Sequence, residues 1–370
     1  MKSEVLSRRL DELDFFHGEE IGPEHFLYVS PERRKAFLEN PYLESPNDIC
    51  EWVGFADGKA AGFNYSFPIR VWADGKSYRG TTGSCLNVQE WARKTDLGLI
   101  LPAKGVEITG KDGIAIAAAC SQMAIPLHKI NGYRYFFMPR YIALWKSRSV
   151  VESIAPRWVA WLLVPIANAA LWLYKISLRA VVSFKMSRHR MEEVGADDAN
   201  AVQKMAEIVA SDPHRFREDH DVSWFKWHLT CSFSKDGPCR GFLLKDKKTG
   251  DVVAFALAKR RFHAKASHRG FRDVWLASIM EWGCVPGHEK ELRWFLVSVA
   301  LRYGGTCDAT EFATDDAKMG AFVRRLGWRQ VGEANVGVKV MKKFPFFGDS
   351  AVKEQSNWRV RPGMGDNALS

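Results

Sequence analysis

Between Asn87 and Gly98 the chain reads Asn-Val-Gln-Glu-Trp-Ala-Arg-Lys-Thr-Asp-Leu-Gly, a strand giving way to a helix. A helix that starts there offers unpaired backbone N–H groups and the positive end of its dipole, the usual receptor for a phosphate or pyrophosphate. Further on, His128 sits in a helical turn closed by Gly132. Histidine changes charge near neutral pH and could move a proton there; equally, His128 could be only a helix residue ahead of a glycine C-cap. Cys85 and Cys120 lie near the same strands, where small buried cysteines more often pack than react. The chain has no GxSxG, HExxH, P-loop or GxGxxG, so hydrolase, zincin, NTPase and dinucleotide chemistries lack their central element. His214 and His220 do not have the spacing of a helical metal pair, and no metal is expected.

The elements that must carry these residues alternate. The pattern predicts helix to about residue 40, strands over 50–67 and 69–88, a helix over 97–105, a buried strand over 114–119, a helix over 122–130 and a strand from Tyr133. The class is α/β with a mixed sheet. In the second half, 275–282 reads as a strand, and 289–302 and 316–326 as helices. Two landmarks recur. His128-Lys129-Ile130-Asn131-Gly132-Tyr133-Arg134 returns as Val323-Arg324-Arg325-Leu326-Gly327-Trp328-Arg329 at an offset of 195, and the hairpin glycine Gly58 returns as Gly250 at an offset of 192. A duplicated domain follows. The expected boundaries are 1–145, a connector over 146–190, a second domain over 191–343 and an irregular tail over 344–370.

A chain of 370 residues with 46% hydrophobic content supports two cores, and seven scattered cysteines without a CxxC indicate neither a disulfide framework nor zinc. The net charge of +10 is not spread evenly. Nine Lys or Arg against the single acid Glu152 place +8 of it between Arg140 and Arg190, so the basic character belongs to the connector and does not suggest nucleic acid. Within that connector, 158–174 (WVAWLLVPIANAALWLY) carries no charge but three tryptophans, a proline and an asparagine. The run is marginal for a spanning helix and Pro165 should break it. A buried interdomain helix is one reading. Interfacial helices seated on an anionic membrane surface explain apolarity and charge together, and place the protein in the cytoplasm, peripheral on the inner membrane face.

Arg93-Lys94-Thr95-Asp96-Leu97-Gly98 keeps the first and last positions of an Arg/Gln-x-x-Gly-x-Gly/Ala loop, and Ser121-Gln122-Met123-Ala124 through Gly132-Tyr133 keeps the Ala, Gly and aromatic of Asn-x-x-Ala-x-x-x-Tyr-x-x-x-Gly-Phe. In these motifs the chain resembles the GNAT acyltransferase superfamily, specifically tandem bacterial members associated with surface polysaccharide synthesis. The resemblance implies two GNAT-like domains in tandem and acetyl-CoA or another acyl-CoA as co-substrate. Val88, Arg93, Lys94, Thr95, Leu97 and Gly98 would hold it, with Asp96 in place of the central glycine as a helix N-cap. His128 would take the tyrosine slot and protonate the leaving thiolate. A base for the acceptor would come from Glu90 first, with Glu51 and Glu107 behind it. The implied acceptor is an amine or hydroxyl of a saccharide or lipid-linked intermediate at the membrane surface. Val323 replaces His128 in the second copy, which therefore reads as non-catalytic, and a wholly non-catalytic scaffold pair docked to membrane machinery is the alternative.

Overall fold

Asp57-Gly58 and Asp74-Gly75 turn the first half of the chain back on itself twice, all four residues having positive φ (48°, 76°, 42° and 88°). This is the two-residue hairpin that Asp-Gly favours. A computed structural model describes residues 2–16, 19–45, 48–263 and 273–365. The first half runs β1 (Ser3–Arg9), a short ribbon β2 (Phe15–Phe16) and β3 (Glu19–Glu20), α1 (Pro31–Leu38), β4 (Ile49–Ala56), β5 (Lys59–Ala73), β6 (Lys76–Val88), α2 (Leu97–Gly105), β7 (Ile114–Ala118), α3 (Ala124–Ile130) and β8 (Arg134–Leu144). There follow α4 (Arg148–Ile154), α5 (Arg157–Lys185), β9 (His189–Val194), α6 (Ala199–Ala210), β10 (Phe216–Glu218), α7 (Val222–Thr230), β11 (Arg240–Asp246), β12 (Val252–His263), β13 (Val274–Cys284), α8 (Glu289–Arg302), β14 (Ala309–Ala313), α9 (Ala317–Arg325) and β15 (Arg329–Val340). Helix starts follow local chemistry: the side chains of Ser30, Asp198, Asp221 and Asp316 each accept a backbone N–H of the helix that follows.

The chain divides into two compact units that interleave along the sequence, where the sequence reading places 1–145 and 191–343 one after the other. Unit 1 comprises residues 1–137, 212–235 and 335–370, and unit 2 comprises 138–211 and 236–334. In unit 1 β1, β4, β5 and β6 pair antiparallel in turn, β6 pairs β7 in parallel, and β7 pairs antiparallel with the end of β15 (Val336 opposite Ala118 to Val340 opposite Ile114). Unit 2 repeats this order with β9, β11, β12, β13, β14 and, from Arg140 opposite Ala313 to Leu144 opposite Ala309, the end of β8. The duplication is thus present strand for strand, but each unit takes its sixth strand from the other copy.

Several local expectations change. Ser3–Arg9 is a strand, not a helix, because Arg8 turns inward to an ion pair with Glu51 on β4, both side chains fully buried. Pro68 does not divide the second strand: β4 pairs β5 only as far as Tyr65 and β10 only from Val71, so on that edge Pro68 owes no N–H to a ladder. Pro165 does not break α5, which runs unbroken for 29 residues. Asn168 on the same helix is satisfied locally, its Oδ1 accepting from the Ser147 N–H at 2.9 Å and hydroxyl at 3.0 Å. From Phe344 to Gly365 the chain is irregular yet packed into unit 1, with Trp358 fully buried; residues 366–370 lie outside the described residues.

Candidate functional site

In unit 1 the parallel pair opens. The β6–β7 register runs from Gly80 opposite Ile114 to Gly83 opposite Ala117 and stops there, although β6 continues to Val88 along β5. Just past that point the backbone turns left-handed on both strands, at Cys85 (φ 53°) and Ala119 (φ 52°), so the two edges part. A cavity of about 10 Å³, the lower limit for one water, lies beside this point, lined by Asn64, Thr81, Gly83, Pro102, Gly105, Ala115, His128 and Tyr133.

α3 brings His128 to this cavity, and the chain closes behind it as the sequence suggests: Gly132 takes φ 86° and the Tyr133 N–H returns to the His128 carbonyl at 3.0 Å. The ring is 6% exposed and stacks on Tyr133 at 4.9 Å between centroids. Its Nδ1 lies 2.7 Å from the Tyr135 hydroxyl and 3.7 Å from Cys120 Sγ. Around it pack Val106, Ala115, Ala117, Ile125, Tyr133 and Tyr135, an apolar cluster. Burial there disfavours the charged ring and lowers its pKa from 6.5 to about 4. His128 is therefore neutral at pH 7. Burial also raises the Tyr135 and Tyr133 hydroxyls, so both stay protonated. In the tautomer whose Nδ1 accepts from the Tyr135 O–H, the ring proton is on Nε2.

The second copy supplies the support. Asn335 on β15 accepts the Cys120 N–H and donates to the Cys120 carbonyl, both at 3.0 Å, and a Cβ at Gly337 would stand 2.8 Å from the Tyr135 ring. Sequence reasoning passed over Tyr135 and Asn335. The period-two aromatics Tyr133, Tyr135 and Phe137 were the available signal for the first; nothing local marks the second.

The other expected residues fall in two places. Val88 ends β6 and its carbonyl accepts from Arg93 Nε at 3.4 Å, while the Thr95 hydroxyl donates to the Ala92 carbonyl at 2.7 Å, so Arg93 and Thr95 fix the loop before α2. Lys94 is exposed beside them. Leu97 is fully buried and could meet a ligand only through its backbone; a Cβ at Gly98 would meet Leu127 at 3.1 Å, so this glycine sets how closely α2 approaches α3. Asp96 holds the N-cap position, but its side chain accepts no capping hydrogen bond, and the first turn of α2 contains no acid. Glu90 is exposed at the start of a 3-10 turn and is not among the partners of His128. Glu51 is buried against Arg8, and burial pushes its carboxyl up to about 7 against the pull of that guanidinium. Glu107 pairs with Lys104 at 2.7 Å on the surface.

The equivalent place in unit 2 is closed to this chemistry. Val323 stands where His128 does, and the Trp328 N–H returns to its carbonyl at 3.1 Å, the same C-cap with no titratable group. At the N-terminus of α8 the acids Glu289 and Glu291 fill the first turn, and Glu289 Oε1 already accepts the Gly287 N–H at 3.0 Å. An anion would meet carboxylates there.

No known family profile matches the sequence, and no curated protein matches it significantly. Solved structures do. Saccharomyces cerevisiae N-myristoyltransferase with bound myristoyl-CoA is similar at a TM-score of 0.57 and 10% identity, over 91% of this chain and 82% of that one. A GCN5-related N-acetyltransferase from Anabaena variabilis gives 0.54 and 9% over 92% and 73%, and a probable N-acyltransferase from Enterococcus faecalis gives 0.52 and 10% over 94% and 74%. The chain has the fold of the GNAT-type N-acyltransferases.

Proposed function

We propose that this chain is an acyl-CoA-dependent N- or O-acyltransferase working in unit 1, on an amine or hydroxyl of a saccharide or lipid-linked intermediate at a membrane surface. The observation that carries the reading is the asymmetry of the copies. Both units open their parallel pair after four register positions, but unit 1 sets beside it a helix N-terminus free of first-turn acids and the neutral His128–Tyr135 pair, whereas unit 2 has Val323 and Glu289 in the matching places. Structural neighbours that bind acyl-CoA support the co-substrate. The backbone from Val88 to Gly98 would hold its pyrophosphate, with Arg93, Lys94 and Thr95 shaping the loop.

In the reaction the acceptor attacks the thioester carbonyl and the C–S bond breaks. Nε2–H of His128 donates to the departing sulfur and stabilises its charge, and the sulfur takes its proton from solvent on release. Glu90, exposed just after β6, takes the acceptor's proton. Release of free CoA thiol from acetyl-CoA and longer acyl-CoA thioesters, followed across a panel of amino sugars, hydroxyl sugars and lipid-linked saccharides, tests this. His128→Ala should lower kcat by about 10²-fold with little change in KM for acyl-CoA. Unchanged kcat in that variant would remove His128 from the chemistry. The non-catalytic scaffold reading draws on Asp96, an acid at the N-terminus of α2 that caps nothing; absence of thiol release with every acceptor in the panel, together with absence of acyl-CoA binding, would favour it.

A further inference from the structure

Helix α5, within unit 2, is built with one stripe inward and the rest outward. Leu178, Val182 and Met186 enter the unit 2 core, and the Tyr174 hydroxyl donates to the Leu326 carbonyl at 2.6 Å. The opposite face presents Trp158, Trp161, Ile166, Trp172, Leu173 and Phe184, with Trp161 78% and Phe184 75% exposed. Such a face on a soluble surface is rare unless something covers it. Among the described residues this is the one helix long and apolar enough to cross a membrane, yet only 6% of its most apolar window is buried.

Charge identifies the cover. α5 contains Arg157, Lys175, Arg179 and Lys185 and no acid. Arg148 and Lys146 beside it have carboxylates in Glu152 and Asp308, at 2.8 Å and 3.8 Å, whereas Arg157, Lys175 and Arg179 have none among the described residues. By helical geometry these three lie along one border of the apolar face. Burial, and after it the neighbouring cations Arg179 and Lys146, lower the Lys175 pKa. A second copy seated on the same face would bring cation row near cation row. An anionic lipid surface neutralises them, and accepts tryptophans at headgroup depth.

We propose that α5 lies in the plane of an anionic membrane, its outward Trp158–Phe184 face in the lipid and Arg157, Lys175 and Arg179 on the phosphates. It does not span: its inner stripe is already committed to the unit 2 core. The proposal rests on unit 2 alone and stands or falls apart from acyl transfer in unit 1.

The test is flotation of the full chain with vesicles of phosphatidylcholine alone or mixed with phosphatidylglycerol. The protein should float with the mixed vesicles, less so as salt rises, and be released by alkaline carbonate. Arg157→Gln and Arg179→Gln should each weaken binding about fivefold, and Trp161→Ser with Ile166→Ser should abolish it while leaving the thermal midpoint in place, since both side chains are exposed. Three results overturn the proposal: no flotation with either vesicle, a stable dimer that α5 substitutions dissociate, or retention in the membrane after carbonate, which means spanning.

Discussion

Gly337→Ala joins the two copies of the duplication to the chemistry of one. Gly337 lies on β15, opposite Ala117 of β7, and a methyl there would stand 2.8 Å from Tyr135 Cζ and 3.1 Å from the two adjoining ring carbons. Ordinary contact begins at 3.4 Å, so the ring must retreat by about 0.6 Å, and its hydroxyl with it. That hydroxyl is the 2.7 Å partner of His128 Nδ1. On strand propensity alone, Gly to Ala should stabilise by about 0.5–1 kcal/mol. Overpacking of a filled site costs about 1–3 kcal/mol, so the clash reverses the sign. Urea denaturation should show a net loss. In Tyr135→Leu, where the ring is gone, the same change should cost little or stabilise, giving a coupling energy of at least about 1 kcal/mol. Nitrogen NMR of His128 should show the tautomer balance disturbed in Gly337→Ala. A stabilised single variant with an unchanged His128 spectrum would refute the strand exchange or the Tyr135–His128 pairing.

Other expectations concern the same unit. The unfolded chain binds a proton at His128 near 6.5 and the folded one only near 4, so this contribution is complete above 6.5 and lost as pH falls through 4. It amounts to about 3 kcal/mol at most; His128→Gln should flatten the stability–pH curve in that window, and a parallel curve would contradict the burial argument. Asn335→Ala strips both hydrogen bonds from Cys120 and should cost about 1–3 kcal/mol in urea, against near zero if those groups find other partners. Asp96→Gly removes an acid that caps nothing at the N-terminus of α2, so acyl-CoA should bind up to about fivefold more tightly by competition assay; unchanged affinity would move the pyrophosphate away from this helix.

Local chemistry was readable and pairing was not. Gly132 and Gly327 take matching left-handed caps (φ 86° and 88°), and Gly58 and Gly250 close hairpins (φ 76° and 80°), because a positive φ is a demand that sequence expresses at one position. Helix α8 lies over 289–302 as its periodicity predicts. By contrast, nothing in the composition of β8 or β15 says which unit receives its second half. That choice is made by contacts about 200 residues distant along the chain, and it conceals the Asn335 and Gly337 side of the site. Strand β1 was hidden for a related reason: Arg8 reads as a surface charge until Glu51 is seen to face it. For His128, the motif located the ring, but its neutrality follows from the apolar cluster around it, which only the fold assembles.

Calorimetry of the full chain with acetyl-CoA and myristoyl-CoA puts the acyl-CoA site in unit 1 to its simplest trial. One site per chain is expected. Gly98→Val, which forces α2 from Leu127, should weaken it about tenfold, and Lys290→Glu, at the counterpart helix of unit 2, should leave it unchanged. Absence of heat at millimolar ligand, or binding that survives Gly98→Val and fails in Lys290→Glu, would contradict the assignment.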